Sequence, residues 1–343
     1  MKKREMELLP VLMVPLRRCG SHAIRLRLSL NPDFYAPYPL HIVDVMPFLP
    51  LYGDLSNDNN YFQLTVDLIG LQALSLVKWE GVSIDPIKFF EAIKDKPRSI
   101  HTIVWEILFS AASKKKARVA MDKSLDNIHY WRELKTIYPK MRFINLVRDP
   151  RAQVSSMNRA IIHEFDSSLN AKILMANYTA LQELIKTYPD SVLSVRFEDF
   201  ITDEETVIKK ICEFLDLNFT SDMLQISNSM EAKRIAVQSQ LWESNSAPPM
   251  KQNIDKFKNF LSASEIEKIE TITWEVMDRY GYSRQSAAKA VITEKDWQDA
   301  QRLSERMRQE AWKKLQIEKP QDYILRKRRA AYIEMCKQNL NNR

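Results

Sequence analysis

An arginine and a serine eight residues apart, Arg148 and Ser156, form the residue pair in this chain best suited to binding a phosphate. The apolar run 143–147 predicts a buried parallel strand, and Pro150 suits the first turn of a helix that continues from Ala152. The arginine would lie at the carboxyl end of that strand, where open α/β sheets bind ligands. One phosphate can then be held by the arginine through charge and by the hydroxyl through a hydrogen bond. The alternative is a surface Arg-Asp pair beside an ordinary helix serine.

A second anion-binding loop follows the first predicted strand, Leu8–Val14. The loop consists of Arg17-Arg18-Cys19-Gly20-Ser21-His22 and leads into a helical run at 23–28, for which Ser21 is the predicted N-cap. A turn of this kind lets backbone N–H groups and a helix N-terminus cradle a phosphate. No Gly-Lys-Ser/Thr follows at Walker A spacing, so the lysine and the magnesium ligand of that motif are missing. We therefore expect the two arginines to supply the positive charge without a metal.

In order and spacing, these motifs resemble those of the PAPS-dependent sulfotransferases (PAPS, 3′-phosphoadenosine 5′-phosphosulfate), in the bacterial and tyrosylprotein branch of that family. The loop 18–22 is similar to the one that binds the 5′-phosphosulfate, and Arg148 and Ser156 match the pair that holds the 3′-phosphate. The segments VRFEDF at 195–200 and MDRYGY at 277–282 resemble two further family motifs. The resemblance implies in-line sulfuryl transfer from PAPS, with PAP as the product, typically to a hydroxyl.

The general base is left open by the resemblance, because relatives carry a glutamate where this chain has Tyr38-Pro39-Leu40. His41 is the nearest group that can take a proton at neutral pH, so we predict it to be the base. Asp44 and Asp122 are the alternatives. A hydrogen-bonded structural imidazole is the competing interpretation of His41.

Two lysines complete the predicted site. Lys123 follows the predicted strand 118–121, in a segment similar to a family turn, and could help Arg18 to neutralise the charge growing on the leaving phosphate oxygen. Lys256, followed by a phenylalanine, resembles a Lys-Trp pair that relatives fold over the nucleotide, and Ser244 resembles the serine of that loop more loosely. The alternatives are a solvated lysine and an ordinary loop.

Alternating strands and helices predict an α/β fold with a P-loop-like central parallel sheet flanked by helices. A further strand is expected at 191–196, and the proline-punctuated stretch 31–40 is expected to be a loop. We assign residues 1–283 to a sulfotransferase domain and residues 284–343 to a basic helical C-terminal extension.

The extension holds the excess positive charge of the chain. Residues 284–343 contain 15 of the 51 Lys/Arg and 8 of the 44 Asp/Glu, so the rest of the chain is formally neutral. Apolar positions from Trp297 to Leu315 step by three or four, which predicts an amphipathic helix that ends at Lys319-Pro320. A second helical run carries the cluster RKRR at 326–329. The cluster is either the solvated face of packed helices or a surface for an anionic partner, such as a carrier domain, a sulfated or phosphorylated acceptor, lipid headgroups or a subunit.

The composition, 45% hydrophobic and 28% charged over 343 residues, is ordinary for a globular protein. No run approaches 18 apolar residues, the N-terminus lacks a signal-peptide pattern, and the three cysteines have no metal-type spacing. We therefore expect a cytoplasmic protein with no transmembrane segment. The resemblance implies that the acceptor is a hydroxyl compound of unknown class (a small molecule, a glycan, a lipid or a carrier-bound group), and we expect no nucleic-acid partner. The alternatives are a non-catalytic PAP-binding or scaffold protein and another P-loop-type nucleotide-dependent transferase, such as a kinase.

Overall fold

A parallel β-sheet lies at the centre of the molecule, as the alternation of strands and helices predicts. The structure, a computed structural model, describes residues 8–15, 17–238, 250–251 and 254–342. Within these residues five strands pair in the order β2-β3-β1-β4-β5, and every pair is parallel. The strands are β1 (Leu9–Pro15), β2 (Phe34–Tyr35), β3 (Val119–Asp122), β4 (Arg142–Val147) and β5 (Val192–Arg196).

Helices cover both faces of the sheet. They are α1 (Ser21–Leu28), α2 (Asp58–Ala73), α3 (Pro86–Ile93), α4 (Ile100–Lys114), α5 (Trp131–Ile137), α6 (Pro150–Met157), α7 (Ser167–Thr187), α8 (Phe197–Thr202), α9 (Glu204–Phe214), α10 (Met230–Gln238), α11 (Ala263–Ile272), α12 (Trp274–Tyr280), α13 (Glu294–Glu318) and α14 (Pro320–Asn341). Within the described residues, no helix is both long and apolar enough to cross a membrane.

The central strand β1 divides the apolar core, because successive side chains of a strand point to opposite faces. Leu12 and Val14 belong to a cluster formed with α2, α4 and α14, whereas Val11 and Met13 belong to a cluster formed with α1 and α9, which includes Cys212. All four of these strand residues are buried, which explains why the strand reads as a continuous apolar run.

The stretch 31–40 is not entirely a loop, and the prediction is wrong at Phe34–Tyr35. These two residues form the edge strand β2, which pairs with Val119 and Ala120 of β3. Two residues are too few to show an alternating pattern among the prolines, so nothing in the sequence marks this strand.

The helical C-terminal extension is confirmed. Helices α13 and α14 are joined at Lys319 and are called here the C-terminal hairpin; near their connection Trp312 packs edge-on against Tyr323. Pro320 starts α14 and does not merely end α13, since proline suits the first turn of a helix. Cys336 and Leu340 of α14 are buried in the main core cluster. The division of the chain after residue 283 stays a prediction.

A glycine in the middle of α2 lets the hairpin approach closely. A Cβ atom on Gly70 would overlap the phenol of Tyr332 in α14, whose hydroxyl donates a hydrogen bond to the Asp67 carbonyl at 3.1 Å. On the other side, the Ser304 hydroxyl of α13 donates to Glu164 at 2.6 Å and accepts from the Phe165 N–H at 2.9 Å. The hairpin is therefore attached to the body of the protein at two separate places.

Candidate functional site

The carboxyl ends of the strands open into one cavity of about 1070 Å³. In this sheet β1 lies between β3 and β4, so the chain crosses in opposite directions from the central strand, which is where open α/β sheets bind ligands. The predicted site residues converge here. Those that line the cavity are Arg17, Arg18, Gly20, Ser21, His22, His41, Lys123, Arg148, Ser156 and Lys256, together with Asp44.

The turn after β1 is shaped by glycine. Gly20 has φ +89°, and a Cβ atom there would overlap the Phe197 ring, so both the backbone and the packing require glycine. The N-cap of α1 is Gly20 and not Ser21, which corrects the sequence prediction. Gly20 has no side chain that could cap the helix, and residues 20–23 at the start of α1 line the cavity.

Cys19 is the loop residue whose side chain does not line the cavity. Its thiol is fully buried in the core cluster beneath α1, and burial raises its pKa to about 11. Cys19 can therefore contribute to a ligand site through its backbone alone.

The two predicted phosphate motifs meet in space. Arg18 donates from Nε to the Ser156 hydroxyl at 3.2 Å, and Arg148 donates from Nη1 to the Arg18 carbonyl at 3.0 Å. The Arg148 guanidinium lies over the Phe197 ring, 4.7 Å from its centroid. Burial and the neighbouring Arg148 charge lower the pKa of Arg18 to about 10. Two partly buried guanidiniums held this close together favour the binding of an anion between them.

The other arginine of the same motif has a structural role. Arg151 donates to both carboxylate oxygens of Asp149 and, at 2.7 Å, to Glu270 of α11. The Asp149 N–H donates a hydrogen bond to one carboxylate oxygen of Glu198, and the Tyr282 hydroxyl donates to the other oxygen at 2.7 Å. The motifs at 195–200 and 277–282 thus brace the strand end that carries Arg148.

Arg17 is held by an acid and a histidine. It donates from Nε and Nη2 to Asp126, and its Nη1 lies 3.1 Å from His163 Nδ1. Asp126 balances its charge, so Arg18 is the more available cation of the loop. Because a guanidinium can only donate, His163 Nδ1 accepts and the proton lies on Nε2. That Nε2 is buried and has no hydrogen-bond partner among the described residues.

Lys123 is almost completely buried, at 3% exposure, yet it lines the cavity. Burial, followed by the charge of Arg25, lowers its pKa to about 7. Its neighbour Asp122 points away from the cavity and accepts hydrogen bonds from Ser124 and Asn127. Burial raises the pKa of Asp122, and its position makes it a support for Ser124.

His41 lines the cavity in a conformation that is rare for a residue other than glycine, with φ +54°. Its N–H donates to the Ser124 hydroxyl at 3.1 Å, and its Nδ1 accepts the Leu125 N–H at 3.3 Å. Burial, with the charges of Arg329 and Lys123 next, lowers the pKa of His41 well below 6.5. The imidazole is therefore neutral at pH 7, and with Nδ1 accepting, its proton lies on Nε2.

The remaining predicted residues lie around this centre. His22 stacks on Tyr38 at 6.1 Å, and burial lowers its pKa well below 6.5, so it can act by hydrogen bonding but not by charge. Lys256 is exposed and lines the cavity, and the next residue, Phe257, is buried against α6. Asp44 accepts a hydrogen bond from Arg329 at 2.9 Å. Ser244 lies outside the described residues.

Sequence reasoning missed two contributions to the site. His163 and Arg159 follow α6 without any motif around them. The C-terminal hairpin supplies Trp312 and one face of α14, and only the helical spacing of that face could have suggested that its members act together.

A parallel α/β sheet whose central strand ends in a loop with arginines and a glycine is an arrangement suited to a phosphorylated, anionic ligand. More narrowly, the chain belongs to the sulfotransferase family, whose model matches residues 10–221. The assignment to one branch of that family stays a prediction.

Two solved structures have the same fold. One is the sulfotransferase domain of the olefin synthase of Synechococcus PCC 7002, at 18% identity, 82% and 98% coverage of the two chains, and a TM-score of 0.54. The other is the sulfotransferase domain from the curacin biosynthetic pathway, at 16% identity, 82% and 100% coverage, and a TM-score of 0.52. None of the curated protein sequences matches the chain.

Proposed function

We propose that this protein transfers a sulfuryl group from PAPS to a hydroxyl group of an acceptor. The observation that carries the proposal is the convergence of Arg18, Arg148 and Ser156 beside the Gly20 turn. Three hydrogen-bonding groups and a helix N-terminus at one strand end suit a ligand with two separate anionic groups.

The charge of the cavity fits such a donor. Among the described residues that line it there are ten Lys/Arg but two acids, Asp44 and Glu334. Two of these cations, Arg27 and Lys123, are almost completely buried. Glu204 balances the charge of Arg27, so Lys123 is the buried cation that a bound anion would stabilise. The volume of about 1070 Å³ reaches the upper end of the range for small-molecule sites, roughly 300–1,000 Å³, and leaves room for an acceptor beside a nucleotide.

The residues divide between the two ends of the donor. Arg148 and Ser156 would hold the 3′-phosphate, and the loop 17–22 would hold the 5′-phosphosulfate through its backbone N–H groups and Arg18. Arg18 and Lys123 would stabilise negative charge on the leaving phosphate oxygen, an interaction that is strongest in the transition state. PAPS supplies the sulfuryl group, and the residues supply orientation and charge.

His41 remains the proposed base for the acceptor hydroxyl, on one condition. Its Nε2 can take a proton only after the tautomer changes, and this would cost the Leu125 hydrogen bond, a contact worth about 0.5–1.5 kcal/mol. In its present tautomer His41 donates from Nε2 and would orient the acceptor oxygen. Substitution of His41 can separate the role of a base from that of an orienting donor.

The first test concerns the donor. Arg148→Ala should weaken PAP binding by about 1.5–3 kcal/mol, the value of a charge-assisted hydrogen bond. Adenosine 5′-phosphosulfate lacks the 3′-phosphate, so its affinity should change little. Calorimetric titration of both ligands measures the difference, and equal losses for the two would contradict the assignment of Arg148.

A calorimetric comparison of PAP with ADP and GDP separates this proposal from a kinase-like transferase. Conversion of PAPS to PAP in the presence of hydroxyl acceptors separates it from a non-catalytic PAP-binding protein. Preference for ADP, or PAP binding without any turnover, would favour the respective alternative.

A further inference from the structure

One face of α14 forms a wall of the cavity. Arg326, Arg329, Ile333 and Lys337 follow one another at helical spacing and all line it, and α13 adds Trp312. The family match ends at residue 221, so this wall is supplied by a part of the chain outside the family model.

Arg329 joins this wall to the segment that carries His41. Its Nη2 donates to the Leu40 carbonyl at 2.7 Å, to the His41 carbonyl at 3.2 Å and to the Asp44 carboxylate at 2.9 Å. The Arg329 side chain is 11% exposed. A cation so well surrounded by acceptors fixes the backbone that it contacts.

The backbone that Arg329 contacts is held in an uncommon conformation. A histidine at φ +54° persists only when its surroundings hold it there, because the left-handed region is unfavourable for a residue with a Cβ. The hydroxyl of Ser124, in the turn after β3, accepts the His41 N–H, and Arg329 donates to the His41 carbonyl. Ser124 and Arg329, which lie 205 positions apart in the chain, thus fix the backbone of His41 and with it the direction of the imidazole.

We propose that Arg329 is a positioning residue for sulfuryl transfer, which keeps His41 directed at the acceptor, and that the C-terminal hairpin is thereby a working part of the active site. The catalytic part of this inference rests on the proposed function. The structural part, that Arg329 sets the conformation and environment of His41, does not.

The charged and titratable groups around His41 come from several elements. They are Arg329 from α14, Lys123 from the end of β3, Arg17 from the loop after β1, His22 from α1, Tyr38 and Asp44. The three cations all lower the pKa of the imidazole. Removal of one of them should therefore raise that pKa.

The test compares two neighbouring arginines in the full-length protein. Arg329→Met removes the contacts to residues 40–44, and Arg328→Met removes the same charge from an exposed position one residue earlier. The unaltered protein and both variants are measured without ligand. Nuclear magnetic resonance then gives the pKa of the His41 imidazole, and hydrogen exchange gives the protection of the amides at 42–45.

We expect Arg329→Met, but not Arg328→Met, to raise the His41 pKa and to speed amide exchange at 42–45. In turnover of PAPS with a panel of small alcohols and phenols, it should lower kcat by about 10- to 100-fold, the effect of a misplaced catalytic group. Arg329→Lys, which keeps the charge, should keep the His41 pKa low and recover part of kcat. Equal behaviour of Arg329→Met and Arg328→Met would overturn the inference.

The two proposals fail in different ways. If the unaltered protein binds PAP but turns over no acceptor of the panel, the proposed function is in question while the His41 measurements still decide the role of Arg329. If turnover is found and Arg329→Met has the same kcat and the same His41 pKa as the unaltered protein, the proposed function stands and the inference is wrong.

Discussion

Lys123 shows at the scale of one residue how the site is prepared for an anion. Its ammonium lies at a buried strand end near Arg25 and Arg18, where burial and like charge both disfavour the protonated form. A pKa near 7 means that roughly half of the ligand-free molecules carry a neutral lysine at neutral pH. A bound phosphosulfate would reverse this, because a negative charge nearby favours the protonated amine.

We expect PAP binding to be coupled to proton uptake at pH 8. Lys123 would be mostly neutral before binding, since this pH lies above its pKa of about 7, and mostly protonated afterwards. Calorimetry in two buffers of different ionisation enthalpy should give an uptake approaching one proton, and Lys123→Met should abolish it.

The matched control is Lys256→Met, which removes an exposed lysine from the rim of the same cavity. This variant should retain the proton uptake. An uptake that persists in Lys123→Met would assign the proton to another group and would remove the argument for Lys123.

The two possible roles of His41 predict different results for two substitutions. His41→Ala removes base and donor together and should lower kcat by about 10²–10⁴-fold without loss of PAP affinity. His41→Gln keeps an N–H donor but cannot take a proton. A base requires both variants to be equally slow, whereas an orienting donor requires the glutamine variant to be clearly faster.

The alternative base is tested in the same assay. Asp44→Asn should leave kcat largely intact if His41 is the base, although Asp44 also accepts from Arg329. Asp122→Asn is less informative, because Asp122 acts on His41 through the Ser124 hydroxyl. Full activity of His41→Ala together with loss of activity in Asp44→Asn would show that we chose the wrong residue.

At the scale of elements, the sequence predicts what local pattern determines. Strands β1 and β4 are recognisable because buried parallel strands are continuous apolar runs, and α6 is recognisable from Pro150 in its first turn. The partners of Arg17 cannot be recognised in the sequence, because Asp126 and His163 lie 109 and 146 positions away. Which arginine of a pair is neutralised depends on such distant contacts, so the sequence does not show that an acid balances the charge of Arg17.

The contact between α2 and α14 depends on a glycine, and this can be tested. Alanine favours a helix over glycine by about 0.8–1.0 kcal/mol, yet Gly70→Ala should destabilise the protein by about 1–3 kcal/mol because the new methyl group overlaps Tyr332. Urea denaturation measures the change in the free energy of unfolding.

A second background makes the Gly70 test specific. In a Tyr332→Ala protein the overlap is gone, so Gly70→Ala should there be stabilising. If alanine at position 70 has the same sign in both backgrounds, close packing against Tyr332 does not explain the glycine.

At the scale of the whole molecule, the structure divides the basic cluster of the extension. Arg326 and Arg329 face the cavity and are paired with Asp322 and Asp44. Arg328 is exposed, and Lys327 lies over the rings of Trp312 and Tyr323. The predicted anionic partner of the cluster therefore concerns the outward pair alone, and it stays a prediction. The sequence shows four adjacent basic residues, but a helix turns them toward different surroundings.

The three buried cysteines lie in three different parts of the molecule. Cys19 lies in the anion-binding loop, Cys212 in α9 and Cys336 in α14, and burial raises the pKa of each to about 11. A thiol of this kind reacts with an alkylating reagent only from a locally opened state. Alkylation rates at the three sites would thus report separately how often the loop, the α9 face and the hairpin open. The alkylation rate of Cys19 would thus measure opening at the anion-binding loop, and the alkylation rate of Cys336 would measure opening at the cavity wall formed by α14.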